Sequence, residues 1–198
     1  MIYIRYFIIS DTHWGHFNII RYCNRPFKTL EEMDKKLIEN WNSRVKEDDL
    51  VFELGDFNFR NSAGGKPGEG VITRAKDYEK QLNGHIIHLK GNHSRNNGIK
   101  TCIEKIIISY GGYKMCMVHN PLHADSNYPI NLVGHVHTAW LIRRLNSRSI
   151  MYNTGVDLNG FKPITFEEIF KKIHQFQKDE KLKKVVPVET KNDNKTTQ

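Results

Sequence analysis

No apolar run in this 198-residue chain approaches the ~18 residues that a membrane span requires, so nothing in it is expected to cross a bilayer. Cysteine is scarce. The three present, Cys23, Cys102 and Cys116, form no C-x-x-C pair and cannot all be bridged to one another, which argues against a disulfide framework and suits a reducing cytoplasm. The first ten residues lack the small-residue cleavage site of a secretory signal; they run straight into Asp11 and have the form of a first strand, not an address. Internal repeats are lacking too.

Basic charge is in excess, with 30 Lys and Arg against 22 Asp and Glu and a net charge of +8, which favours anionic ligands. No stripe joins arginines to aromatics, however, so the charge reads as ordinary solubility charge before it reads as a nucleic-acid surface. At 38% hydrophobic and 26% charged the chain suits one soluble domain with an ordinary core. That domain is expected over residues 1–177. Residues 178–198, mostly Lys, Asp, Glu, Asn and Thr, have little to bury and are expected to form a disordered tail.

Short β-branched and aromatic runs at residues 2–9, 50–54, 85–89, 103–109, 113–118, 130–133 and 150–156 predict strands, with Gly111-Gly112 turning a hairpin. Two helices announce themselves by capping boxes. Thr29-Leu30-Glu31-Glu32 precedes Leu30, Met33, Leu37, Trp41 and Val45 at steps of three and four, and Thr165-Phe166-Glu167-Glu168 precedes Ile169, Phe170, Ile173 and Phe176. A third helix face reads Val71, Ala75, Tyr78, Leu82, after a glycine-rich stretch at residues 58–70 that has the composition of a loop or lid.

Five segments follow those strands: Asp11-Thr12-His13, Gly55-Asp56, Gly91-Asn92-His93, His119 and Gly134-His135-Val136-His137. Singly, a Gly-Asp or an Asn-His is most often a turn or a cap. Jointly, in order and at strand ends where α/β sheets gather their ligands, they supply enough carboxylate, amide and imidazole donors for two metal ions. Two divalent cations roughly 3.5–4 Å apart can activate water and clamp the attacking and leaving oxygens of a phosphoryl group.

The pattern D-x-H, G-D, G-N-H, H, G-H-x-H resembles the calcineurin-like metallophosphoesterase superfamily across roughly residues 7–137, and Asp11-Thr12-His13-Trp14-Gly15-His16, Asn18-Ile19-Ile20, Leu54-Gly55-Asp56-Phe57 and Phe161-Lys162-Pro163-Ile164 are similar to words of its small stand-alone bacterial and phage members. The resemblance implies an α/β (α+β) fold, a four-layer αββα sandwich of two mixed sheets flanked by helices. It implies that Asp11, His13 and His137 hold one ion, that Asn92, His119 and His135 hold the other, and that Asp56 bridges them. The ions implied are Mn, Fe, Ni, Co or Zn, a range that mixed nitrogen and oxygen donors suit. The activity implied is phosphomonoester or phosphodiester hydrolysis, with hydroxide generated at the ion pair as the nucleophile. His93 would face the substrate and protonate the leaving oxygen.

The chain departs from the family at Ser94, where an acidic residue usually follows G-N-H and would orient and charge-stabilise the histidine. Of the weaker candidates, His16 could touch a phosphate but reads better as a helix-start or supporting residue; Lys90, Arg95 and Asn96 could each meet an anion, and His85, His88, His123 and His174 read as structural or surface histidines. The expected partner is a small phosphoester or nucleotide, with nucleic acid less favoured and no membrane, while the oligomeric state is open. Two rivals stand beside this reading: a small nuclease of the same superfamily, and a metal-containing binding module with weak or lost turnover.

Overall fold

A computed structural model describes residues 4–59, 73–93 and 99–185. In chain order the elements are β1 (Tyr6–Ile9), α1 (Phe17–Tyr22), α2 (Leu30–Asn42), β2 (Leu50–Glu53), α3 (Ala75–Glu79), β3 (His85–His88), β4 (Lys105–Tyr110), β5 (Tyr113–Val118), β6 (Ile130–Val133), β7 (Ile142–Arg144), β8 (Ile150–Asn153), β9 (Ile164–Thr165) and α4 (Phe166–Val185). They build two mixed sheets, ordered β3-β2-β1-β9 and β4-β5-β6-β8-β7. In the first, β1, β2 and β3 run parallel and β9 antiparallel; in the second, β5, β6 and β8 run parallel between antiparallel edges.

Alternation along β1 assigns the layers. Ile8 faces inward with Phe52, Leu54 and Leu89 against Met115, Met117, Ile130, Leu132, Ile150 and Tyr152 of the second sheet, forming the core between the sheets. Phe7 and Ile9 face outward with Val51 against Ile19, Leu30, Met33, Leu37, Trp41 and Tyr78, so α1, α2 and α3 cover that face. Each large apolar side chain removed from water in these layers stabilises the fold by about 1.5–3 kcal/mol. The expected sandwich of two mixed sheets flanked by helices is present, and its helical cover is uneven. Helix α4 seats Phe166, Ile169 and Ile173 in the inter-sheet core, while the outer face of the second sheet (Cys116, Val118, Val133, Met151) is covered by Ala124, Tyr128, Trp140 and Leu145 from loops.

The capping box before α4 forms in full, and the one at α2 forms in half, its Glu32 carboxylate accepting the Lys28 amide instead of the Thr29 amide. Thr29 Oγ1 accepts the Glu32 amide at the start of α2, and before α4 the Thr165 and Glu168 side chains accept each other's amides. Several boundaries differ from the sequence reading. Helix α2 ends at Asn42, although Val45 still packs in its cluster, and α1, β7 and β9 are additions too short to show a period. Helix α4 continues past residue 177 to Val185, where Arg144 on β7 holds Glu180 at 2.7 Å, so residues 178–185 extend the helix expected to end before them. Val71, most of the 58–70 loop, Ser94, Arg95, Asn96 and residues 186–198 lie outside the described residues. Among the described residues no helix is long and apolar enough to cross a membrane.

The two sheets are stitched at one end. A parallel bridge pairs Ser10 with Gly155, and Ser10 exchanges backbone bonds with Thr154 and Val156. The C-terminal ends of β1, β2 and β3 are thereby brought beside those of β5, β6 and β8.

Candidate metal centre

Every one of the five segments leaves its strand at that stitched end. Asp11, His13, Asp56, His135 and His137 all have φ between +45° and +71°, a region non-glycine residues rarely adopt, at a cost of order 1–3 kcal/mol each. The turns aim consecutive side chains inward over one small volume. The glycines let the segments touch: a Cβ on Gly91 would collide with the Asp56 amide nitrogen and Oδ1, and one on Gly134 would lie 2.5 Å from Asp11 Oδ2 and from Ser10 Oγ. The Gly of G-N-H is therefore set by the Asp of G-D, and the Gly of G-H-x-H by the Asp of D-x-H.

Donor atoms gather in two sets. Atoms of Asp11, His13 and His137 lie within 4.8 Å of one another, as do atoms of Asp56, His119 and His135. Asn92 Oδ1 joins the second set at 2.8 Å from His119 Nε2 and 2.9 Å from His135 Nδ1. Asp56 Oδ2 reaches toward both, 3.4 Å from His119 Nε2 and 3.7 Å from His13 Nε2. All seven predicted ligands thus converge.

Four of the seven, Asp11, Asp56, His119 and His137, are held from behind. Asp11 accepts Ser10 Oγ–H at 2.5 Å and the His135 amide at 2.9 Å, Asp56 Oδ1 accepts the His93 amide at 3.0 Å, and His119 Nδ1 donates to the Leu54 carbonyl at 2.9 Å. His137 Nδ1 lies 2.9 Å from Asp157 Oδ2. Asp157 in turn receives the fully buried Arg25 guanidinium at 2.8 Å, and the same guanidinium donates to the Asp11 and Thr12 carbonyls.

Burial drives the His13 pKa well below the usual histidine value, against the pull of Asp56. Its ring is therefore neutral at pH 7, and its buried Nε2 has no hydrogen-bond partner. Burial opposes charge at His119 too, but hydrogen bonding to Asp56 and the charge of Asp11 outweigh it and raise the pKa to about 9. At His137 burial is outweighed by Asp157 first, then by Cys23 and Asp11, and the pKa rises to about 10. Asp56 is buried, yet His119, His13 and the His93 amide hold its carboxyl well below the ordinary range. Carboxylate, amide and imidazole donors thus converge on one space, and a buried imidazole nitrogen there, His13 Nε2, has no partner. That donor set fits divalent metal ions: two carboxylates, one neutral amide oxygen and four imidazoles, each orientable through its other atoms.

His93 lies beside the ligands, its ring 5.8 Å from that of His13 and 4.4 Å from Phe59, with its side chain 36% exposed. His16 starts α1, is buried, and lies 3.3 Å from His13 Nδ1 through its own Nδ1; burial first, then His93, lower its pKa to about 4. Lys90 pairs with Glu104 at 2.6 Å, His88 is clasped between Glu53 and Glu79, His174 meets the Tyr113 hydroxyl, and His85 is exposed. His123 lines a cavity of about 210 Å³ beside Asn92 and His119. Sequence reasoning missed Asp157 and Arg25. Asp157 carried a usable signal, since it follows β8 as the other segments follow their strands; a buried Arg at position 25 carried none.

The fold and its site define a class: an αββα sandwich presenting two converging sets of metal-competent donors at the carboxyl ends of its parallel strands. No family model matches the sequence. An uncharacterized protein of Methanocaldococcus jannaschii, MJ1445, is 36% identical over 177 residues, spanning 85% of this chain and 91% of the relative, and the chain belongs to the same family as that protein. A protein of unknown function from Aquifex aeolicus, AQ665, has the same fold, with a TM-score of 0.62 at 23% identity over 85% of this chain and 99% of that one. The Pseudomonas putida nuclease MPE is a looser likeness, with a TM-score of 0.47 at 19% identity over 76% of this chain and 73% of its own, and carries no argument about chemistry.

Proposed function

We propose that this chain is a calcineurin-like metallophosphoesterase, a metal-dependent hydrolase of phosphomonoesters or phosphodiesters. The observation that carries the reading is the meeting of seven donors, contributed by five strand ends, in two sets, with Asp56 Oδ2 3.4 Å from His119 Nε2 in one and 3.7 Å from His13 Nε2 in the other. Asp11, His13 and His137 would hold one ion, Asn92, His119 and His135 the other, and Asp56, with two oxygens and a negative charge, would bridge them. Mn, Fe, Ni, Co and Zn suit these donors. The ions when bound supply Lewis acidity toward the phosphoryl oxygens and lower the pKa of water.

The protein's own residues do the rest. Asp157 and the Leu54 carbonyl fix the orientations of the His137 and His119 rings, and neutral Asn92 would leave an ion held there more electrophilic than a carboxylate would. His93, partly exposed 3.9 Å from Asp56 Oδ2, would meet the phosphoryl group and protonate the leaving oxygen. A cytoplasmic location is part of this proposal; among the described residues no helix is long and apolar enough to cross a membrane.

The test is elemental analysis of the purified protein beside hydrolysis of p-nitrophenyl phosphate and its bis-ester, with manganese and with chelator. Bound transition metal and chelator-sensitive turnover are expected. Metal without turnover would favour a binding module, and neither metal nor turnover would end the proposal.

A further inference from the structure

Four rings form a continuous wall leading away from the metal-competent cluster. The His93 ring packs edge-on to Phe59 at 4.4 Å, Phe59 lies 4.5 Å from His16, and His16 meets Tyr22 at 6.2 Å; the inner end is fixed by His13, 5.3 Å from His16 and 5.8 Å from His93. His16 is only 5% exposed and backs the wall. Tyr22, at the end of α1, is 63% exposed, and the Arg21 guanidinium lies against its ring at 5.4 Å. These rings come from three separated stretches of chain, so no stripe of aromatics and arginines is visible in the sequence.

The other flank of the cluster is different in kind. Beside Asn92 and His119 the 210 Å³ cavity is lined by the Lys90–Glu104 pair, Asn120 and His123, and so offers charge and hydrogen bonds but no stack of carbon rings. Among the described residues, a planar group esterified to a phosphoryl at the cluster therefore finds its favourable place along the ring wall. Every nucleobase has a π-face, and stacking on an aromatic side chain contributes without base-specific hydrogen bonds. An exposed Tyr with a guanidinium already laid on it offers such a platform, adding cation–π attraction to ring burial.

We infer that the wall formed by Tyr22 and Phe59, backed by His16 and His93, is a nucleobase subsite, and that the substrates are nucleoside phosphoesters. The inference rests on the phosphoesterase reading and names the substrate class for the same site. Arg21 secures the Tyr22 ring, Phe59 meets the edge of the base nearest the phosphoryl, and the polar cavity takes whatever hydrophilic group lies on the other flank.

The test is equilibrium binding of adenosine 5′-monophosphate and of ribose 5-phosphate to the intact metal-loaded protein, with calcium in place of the transition metal to suppress turnover. Adenosine monophosphate is expected to bind about 5–150-fold more tightly, the range that 1–3 kcal/mol of stacking per base corresponds to. Tyr22→Ala should remove most of that preference and Tyr22→Phe should keep it; because Tyr22 is largely exposed, both variants should fold, and Phe59→Ala gives a second reading. A 2-aminopurine nucleotide should lose fluorescence on binding wild type and keep more of it on Tyr22→Ala. Equal affinity for the two phosphates, or equal weakening of both by Tyr22→Ala, overturns the subsite while ester hydrolysis by the same preparation keeps the phosphoesterase reading. Failure to bind either phosphate, in a protein that also holds no metal and cleaves no ester, overturns both.

Discussion

Asp157 Oδ2 stands 2.9 Å from His137 Nδ1, which leaves Nε2 as the ring nitrogen outside that bond. The carboxylate is itself fixed by Arg25, whose guanidinium also grips the Asp11 and Thr12 carbonyls, so one buried cation ties the D-x-H turn to the support of the last histidine.

Two variants separate these roles. Asp157→Asn should lower affinity at the Asp11–His13–His137 set by about 10–100-fold, as loss of an orienting carboxylate commonly does, and chelator competition should show one weakened class of bound metal beside an intact one. Arg25→Met leaves Asp157 buried without its cation and should cost about 3–5 kcal/mol of stability, read from denaturant unfolding. Unchanged metal affinity in Asp157→Asn would remove the carboxylate from the centre's support.

Asp56 belongs to the second donor set and its Oδ2 also lies 3.7 Å from His13 Nε2 of the first, so with the proposed bridging role Asp56→Asn should affect both. Removing its charge and one anionic oxygen should reduce turnover by about 10³-fold, the size of several kcal/mol of lost charge stabilisation, and should reduce metal content measured by elemental analysis. Retention of full metal content with normal turnover would contradict a bridging role.

His93 makes the opposite prediction. Its ring is placed beside the ligands but belongs to neither set, so His93→Ala should lower kcat by about 10²–10⁴-fold on esters with poor leaving groups and leave metal content unchanged. Equal loss on good and poor leaving groups would argue against proton donation. The measurement is a rate series across aryl phosphates of graded leaving-group pKa.

Much of this arrangement could be read from the chain before its fold was known, for a physical reason. Each segment sits just past an apolar run, and parallel strands deliver their ends to one edge; the rule that finds Asp11 after β1 also finds His135 after β6. The glycines are equally legible, because Gly91 and Gly134 lie where the backbone of one segment presses on the aspartate of another. Arg25 was illegible, since a buried arginine looks like a solvated one until its partner 132 residues away is known. The two-residue β9 and three-residue β7 show no period of their own and exist because neighbouring strands offer unpaired edges. The ring wall was hidden because residues 16, 22, 59 and 93 meet only in the folded chain.

Beneath the G-D turn, His88 stands between two carboxylates, 3.0 Å from Glu53 Oε2 and 2.9 Å from Glu79 Oε1, with the Phe57 ring against it. Burial disfavours its charge, but the hydrogen bonds to Glu53 and Glu79 prevail and raise its pKa to about 9, while burial pushes the Glu53 carboxyl above its ordinary value. The imidazole and the Glu53 carboxyl titrate as a coupled pair. A histidine raised in the folded state contributes stability that is complete below its unfolded pKa of about 6.5 and is lost as pH rises through the folded value. Wild type should therefore exceed His88→Gln in unfolding free energy by up to ~3 kcal/mol at pH 6.5, and the difference should shrink toward zero by pH 9.5, where both side chains are neutral. Glu53 Oε1 also accepts the Gly55 amide, so loss of the imidazolium loosens the turn that carries Asp56. Urea unfolding of both proteins at the two pH values, with metal content held equal, decides it: a difference that is flat across this window would mean that His88 contributes packing and no charge.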